Sequence, residues 1–229
     1  MNILSKLKQW LPKHCLICEQ SNNSNKSLCY HCWQSLPWQT DCCQLCNLTL
    51  VKNKQIICGP CQQHPPAFKQ MITACRYEKP IAHFISAFKF HHQLRYRQLL
   101  AEILLAKIPD HCRPDIILPI PLHKRRLQKR GFNQAVEIAK LISKTMQIPI
   151  STNEVIRTLN TQPQTALKIP ERHKNIKKAF AITKPMHYTT VAILDDVITT
   201  GATVSAMANC LQQAGIKTVY VLGVARTYR

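Results

Sequence analysis

The chain has 229 residues, with 31 Lys or Arg against 11 Asp or Glu, which gives a formal charge of +20 and a pI near 9.7. The length suits one α/β domain beside a smaller unit, and the charge points to polyanionic partners, either a bis-phosphorylated sugar or a nucleic acid. No stretch reaches membrane-spanning length, which excludes a helical membrane protein.

Met1 to His14 carries lysines without a long apolar core, so it does not read as a signal peptide, and a cytoplasmic protein is expected. Ile3, Leu4, Leu7, Trp10 and Leu11 would share one helix face flanked by Lys6, Lys8 and Lys13. Such a face suits either the inner surface of the cell membrane or packing on the segment that follows.

Nine of the twelve cysteines lie before residue 62, and eight of them form four C-x-x-C knuckles: Cys15/Cys18, Cys29/Cys32, Cys43/Cys46 and Cys58/Cys61. A knuckle turns two thiolates toward one tetrahedral ion, and two knuckles close a structural zinc site. Two structural zinc sites of four cysteines each follow. Gaps of ten and eleven residues suit pairing in chain order, although spacing alone also permits the first knuckle to join the third, and Cys42 stands next to Cys43 as an alternative ligand. A disulfide framework would require an oxidising compartment. Redox catalysis does not need four knuckles in so short a stretch. Small ribbons have little core, so metal supplies their folding energy. Cys75, Cys112 and Cys210 lie in apolar runs and are expected to be inert.

His64-Pro65-Pro66 marks the joint, which divides the chain into a Cys-rich unit, 1–66, and an α/β domain, 67–229. Ile81 to Phe90, Leu94 to Ile108 and Phe132 to Met146 have helical periodicity. Asp115 to Ile120 is a short strand, and Ile148 to Ser151 and Val155 to Arg157 are two more. After the Asp115 strand comes the stretch Pro121 to Gln134, in which Lys124, Arg125, Arg126, Lys129 and Arg130 are all cationic. At a strand's carboxyl end such a cluster offers counter-charge to a diphosphate; elsewhere it would be a solvated basic loop. Thr158 to Lys174, broken by Pro163 and Pro170, suits a loop that closes over a ligand.

Val191 to Leu194 is an apolar, β-branched run expected of a parallel strand buried on both faces. Its carboxyl end delivers Asp195 and Asp196 to the crevice where open α/β sheets bind ligands, and paired acids there can accept hydrogen bonds from a vicinal diol such as that of a ribose. Thr199, Thr200, Gly201, Ala202 and Thr203 supply hydroxyls and one glycine for a tight turn, ahead of a helix from Val204 to Gln213. N–H groups at that helix start suit a phosphate monoester. Thr218 to Val224 is the next buried strand.

The block from Val191 to Thr203 resembles the phosphoribosyl pyrophosphate signature of the type I phosphoribosyltransferases. The resemblance implies a type I phosphoribosyltransferase-like α/β domain with a mainly parallel sheet. It also implies that Asp195 and Asp196 are the catalytic acids on the ribose, that Thr199 to Thr203 hold the 5-phosphate, and that Mg²⁺ accompanies the diphosphate, which Arg125, Arg126 and Arg130 would meet with Lys124 beside them. An acidic residue where Thr199 stands would mark the purine enzymes, and its absence argues against purine salvage. The segment Pro119-x-Pro121-Leu122 through Arg126, Arg130, Gly131, Phe132, Asn133 and Gln134 resembles the ComF family of competence-associated phosphoribosyltransferase-like proteins. Tyr77, Phe88-Lys89-Phe90, Arg157, Gln164 to Leu167, Glu171-Arg172, Asn175 and Ala179-Phe180 extend the likeness over most of the chain. Membership implies handling of transforming single-stranded DNA during uptake, with a competence helicase and an inner-membrane DNA channel as partners. The family's gluconate-cluster relative, GntX, implies carbon metabolism as the alternative biology. Two classes of function therefore fit the residues: a Mg²⁺-dependent phosphoribosyltransferase, transferring a pentosyl group to an unidentified acceptor, and a nucleic-acid-handling protein. Phe90, Tyr96 and Phe132 would serve the second class by stacking bases, or else lie in the core.

Overall fold

The computed structural model describes residues 13–22, 26–50, 56–91, 93–158 and 179–228. The amphipathic face from Ile3 to Leu11 and nearly all of the loop from Thr158 to Lys174 lie outside them.

The Cys-rich unit has almost no regular structure. It contains the two-residue strands β1 (Lys13–His14) and β2 (Ser21–Asn22), which pair antiparallel, and the five-residue helices α1 (Tyr30–Gln34) and α2 (Gly59–Gln63). Each helix starts directly after a cysteine, Cys29 or Cys58, and carries the second cysteine of its knuckle inside the first turn.

The α/β unit follows as β3 (Gln70–Arg76), α3 (Ile81–Phe90), α4 (Tyr96–Leu105), β4 (Ile116–Pro119), α5 (Lys124–Arg130), α6 (Gln134–Met146), β5 (Val155–Arg157), β6 (Phe180–Ile182), β7 (Thr190–Ile198), α7 (Ala202–Gln213) and β8 (Thr218–Arg226). Four strands form a wholly parallel sheet in the order β3-β8-β7-β4, while β5 and β6 make a separate antiparallel pair. The inner strands alternate between two cores, as the two-residue period of a strand requires. Ala192, Leu194, Tyr220 and Leu222 face α3, α4 and α6, whereas Val191, Ile193, Val219 and Val221 face α7. Burial on both faces produces the continuous apolar runs seen in the sequence.

The expected joint at residue 66 is also a shared surface. Cys15, Leu28 and Leu36 belong to the same apolar cluster as Phe84 and Leu100. The edge strand β3 is covered by the ribbon segment 37–47: Gln39 N–H donates to Ala74 C=O at 2.9 Å, Arg76 N–H to Pro37 C=O at 2.8 Å, and Met71 N–H to Leu45 C=O at 2.8 Å. Covering satisfies the open hydrogen-bonding row of an edge strand.

Four elements differ from expectation. The strand predicted as Val191 to Leu194 runs on to Ile198, because β8 stays paired with it as far as Arg226; the two acids therefore lie within the strand. The basic stretch Lys124–Arg130 is a helix, with His123 Nδ1 accepting the Arg125 N–H at 3.3 Å as its cap and Gly131 (φ 73°) ending it. Ile148 to Ser151 contributes a single parallel bridge, Ile150 to Ile117. The edge strand β3 itself was not anticipated, since Gln70, Thr73 and Arg76 interrupt its apolar pattern.

Candidate functional site

Each expected zinc site is a cluster of four sulfurs, all within 4.8 Å of one another: Cys15, Cys18, Cys29 and Cys32 in one, Cys43, Cys46, Cys58 and Cys61 in the other. The knuckles therefore pair in chain order, and the interleaved alternative is overturned. Four sulfurs at about 2.3 Å from a tetrahedral zinc stand about 3.8 Å apart. Cys18 and Cys29 sulfurs are 3.8 Å apart and Cys46 and Cys58 sulfurs 3.6 Å, so both donor sets fit the ion. Burial pushes the Cys43 thiol up, but backbone N–H groups of Cys46 and Cys58 outweigh it and bring the group down to about 7. Cys42 is not a ligand; its thiol points back to Thr40 C=O at 3.0 Å. Cys75 and Cys112 are buried, with thiols raised by burial to about 12 and about 11, which suits core residues.

The second site is built where β4 stops. Pro119 pairs with Leu194, and beyond that point β7 continues against β8 alone, leaving Asp195 and Asp196 past the end of the neighbouring strand. Gly223 lies opposite Asp195 on β8; a Cβ there would meet Ile198 Cδ1 at 2.7 Å and Thr73 Cγ2 at 3.1 Å, so a larger residue would have to displace those side chains. Each acid uses one oxygen on the backbone: Asp195 Oδ1 accepts the Asp196 N–H and Asp196 Oδ1 the Val197 N–H, both at 2.9 Å.

Their other partners differ. Asp196 is buried and its Oδ2 pairs with Lys89 Nζ at 2.7 Å. Asp195 is pushed up to about 7, by burial first and by the Asp196 charge next, with Lys89 opposing. Arg157 lies within the electrostatic reach of both Asp195 and Arg126: burial and Arg126 disfavour its charge while Asp195 favours it.

After β7 the chain turns through exposed Thr199 and Thr200 into Gly201, whose φ of 81° is a left-handed conformation suited to glycine. Thr200 Oγ1 accepts the Ala202 N–H at 3.3 Å, and α7 starts there. Ala202 and Thr203 are half-buried in its first turn. The other flank is α5. Arg126 and Arg130 are half-buried, while Lys124 and Arg125 face solvent. Arg130 lies over the Phe90 ring at 5.2 Å and donates to Gln134 Oε1 at 3.1 Å. Asn133 ties the strand to the helix by donating to Ile120 C=O and accepting the Ala135 N–H.

Asp195, Asp196, Arg126 and the Thr199–Thr203 loop are therefore gathered at one end of the sheet, with Arg130 beside Phe90. Lys89 and Arg157 belong to the same arrangement and were not among the expected site residues. Each carried a signal: Lys89 lies four residues after Ile85 on the apolar stripe of its helix, and Arg157 lies two after Val155 on the inward side of its strand. Of the aromatics, Tyr96 is buried and Phe132 packs on Phe88 at 5.3 Å, while Phe90 is exposed beneath Arg130. Among the described residues no helix is long and apolar enough to cross a membrane.

Residues 7–66 match the double zinc ribbon domain family. The chain is 33% identical over 178 residues to competence protein F of Haemophilus influenzae, covering 74% of this chain and 78% of that protein. It is 30% identical over 219 residues to the DNA utilization protein YhgH of Escherichia coli K12, covering 93% and 90%. It is 28% identical over 209 residues to the competence protein ComFC of Bacillus subtilis, covering 83% and 80%. A purine phosphoribosyltransferase from Pyrococcus horikoshii aligns structurally at 20% identity and a TM-score of 0.31, over 58% of this chain and 71% of that one. With two four-cysteine clusters in a double zinc ribbon, a parallel sheet behind it and relatives this similar along most of their length, the chain belongs to the ComF family of competence-associated phosphoribosyltransferase-like proteins.

Proposed function

We propose that the chain binds phosphoribosyl pyrophosphate with Mg²⁺ at the carboxyl end of β7, and that it acts in the uptake or handling of transforming single-stranded DNA. The observation that carries the first half is the placement of the Asp195–Asp196 pair past the end of β4, beside a hydroxyl loop turned at Gly201. Asp195 is the acid that takes the ribose hydroxyls, because Asp196 is already paired with Lys89. The Thr199–Thr203 loop and the first turn of α7 receive the 5-phosphate. Arg126, Arg130 and Arg157 meet the diphosphate, with the exposed Lys124 and Arg125 widening the cationic field. Mg²⁺ takes one or two carboxylates together with phosphate oxygens, a habit that Asp195 suits; when bound it neutralises the leaving diphosphate.

The relatives named for competence and DNA utilization support the second half, as does the solvent-facing basic side of α5. Single-stranded DNA would meet that side through its phosphates. A transferase reading requires a nitrogen nucleophile and a group to handle it, and Thr199 stands where purine enzymes place an acid.

Calorimetric titration of the zinc-loaded protein with phosphoribosyl pyrophosphate and Mg²⁺, repeated on Asp195→Asn, tests the phosphosugar half. Micromolar binding that the variant loses supports it; no binding to the intact protein rejects it. Fluorescence anisotropy with a labelled single-stranded oligonucleotide at several salt concentrations tests the DNA half separately. Absence of salt-dependent binding rejects that half.

A further inference from the structure

A cavity of about 880 Å³ opens where the first cysteine cluster meets the helices, between the turn at 14–19 and the starts of α3 and α4. Its walls are fixed by bonds already present. On the ribbon side His14 Nδ1 donates to Glu19 C=O at 2.9 Å, and Glu19 N–H to Cys15 C=O at 3.0 Å. On the helix side Phe84 and Tyr96 are buried with ring centroids 5.0 Å apart. His83 is exposed beside them, its ring inclined at 67° to Phe84 and 76° to Tyr96, so neither neighbour stacks flat on the imidazole. Ile17, between the two cysteines of the first knuckle, is an exposed apolar side chain on the ribbon wall. The cavity also carries charge. Lys79 and Arg95 are exposed on its lining, and neither forms an ion pair with an acid among the described residues. Arg95 is held over the Tyr96 ring at 4.9 Å, where its Nη2 donates to Tyr96 Oη and to Gln93 Oε1, both at 3.1 Å. A guanidinium has further donors on Nη1 and Nε to offer a ligand.

We propose that this cavity is a nucleotide site, taking a base against Ile17 and His83 and its phosphate on Lys79 and Arg95. An apolar side chain and an unstacked imidazole suit the π-faces of a base. A guanidinium held in place suits phosphate oxygens, and Glu19, the one acid on the lining, can accept from a base N–H. Inorganic phosphate would use the cations alone, whereas the volume also holds a base and a sugar. The site is separate from the acids of β7: it adjoins the first turn of α3, while Lys89, which reaches Asp196, lies in the last. Two sources share this chemistry, a nucleotide within single-stranded DNA and a free mononucleotide. The first rests on the DNA half of the proposed function, and the second does not.

The test irradiates the full-length, zinc-loaded protein with either a single strand carrying 5-iodouracil or free 5-iodo-deoxyuridine monophosphate, and maps the adducts by mass spectrometry. Adducts within residues 14–19 or 79–96 are expected, and a variant with both His83→Ala and Arg95→Ala should lose them. Both side chains are exposed, so their removal leaves the core intact. His83→Ala alone should weaken calorimetric binding of the same probe by at least about 5-fold, the lower end of what a base-stacking side chain contributes. Labelling by the strand assigns the site to a nucleotide of single-stranded DNA, and labelling by the monophosphate alone assigns it to free nucleotides. Adducts only outside these segments, adducts that survive in the double variant, or none at all overturn the proposal. If the strand still binds with its salt dependence in that case, the DNA half of the proposed function stands without this site. Displacement of the monophosphate by equimolar inorganic phosphate overturns the role given to the base.

Discussion

The ribbon unit and the parallel sheet are ordered by different forces, although they touch along a whole strand. In the sheet, Val191, Ala192, Ile193 and Leu194 are each fully buried, and a side chain such as Ile193 contributes about 1.5–3 kcal/mol by leaving water. In the ribbons the regular elements are two to five residues long, and the buried apolar groups are mostly cysteines. There the ligand bonds hold the chain where a core would otherwise do so. The lesson is that the position of Asp195 rests on a packed core, while the cover over the β3 edge rests on metal.

The largest test of this contrast is removal of zinc under reducing conditions. Each structural centre is worth about 10–16 kcal/mol of coupled folding, so amides from residues 26–50 should exchange completely while those of β7 and β8 stay protected, as hydrogen-exchange mass spectrometry would show. Simultaneous loss of both regions would erase the distinction. Lys89→Met comes next: it strands Asp196 as a buried charge and should cost about 3–5 kcal/mol in denaturant unfolding, with Asp196→Asn in that background recovering part of the loss and zinc content unchanged. Ile193→Ala should cost about 2–5 kcal/mol by leaving a cavity, again without releasing metal.

A smaller effect follows from Asp195. Its folded-state carboxyl is raised to about 7 from an ordinary 3.8, so the native state holds a proton that the unfolded chain has released. The resulting contribution is complete below about pH 4 and disappears as pH rises through about 7. Denaturation curves across that window should slope downward for the parent and flatten for Asp195→Asn; an unchanged slope would place the proton elsewhere. The smallest effect belongs to the solvent face of α5. Lys124→Ala with Arg125→Ala should leave stability within about 0.5 kcal/mol, yet lower the salt dependence of single-strand binding by about 0.7 in log–log slope per cation removed.

What the sequence disclosed follows the same division. The eight ligands were legible because C-x-x-C spacing has one economical geometry, and the β7 acids because an apolar run, two carboxylates and a hydroxyl-glycine turn are adjacent in the chain. Ligand pairing and the exclusion of Cys42 required the fold, since Cys42 and Cys43 differ only in the direction in which each side chain leaves the backbone. Lys89 and Arg157 were hidden because each comes to the site from a distant element. A lysine beside phenylalanines or an arginine ending a strand looks like a solvated end until a buried acid is brought near it. The β3 strand escaped because polar residues interrupt its apolar pattern, and the central one is satisfied by the ribbon: Thr73 hydrogen-bonds Asn47 through both its N–H and its hydroxyl.

Both rims of the parallel sheet are already taken. The ribbon segment 37–47 occupies the β3 side, and on the β4 side Ile117 donates its N–H to Pro149 C=O and accepts the Ser151 N–H. Among the described residues, a fifth strand would therefore find the rims of this sheet occupied at the ribbon segment and at Ile117.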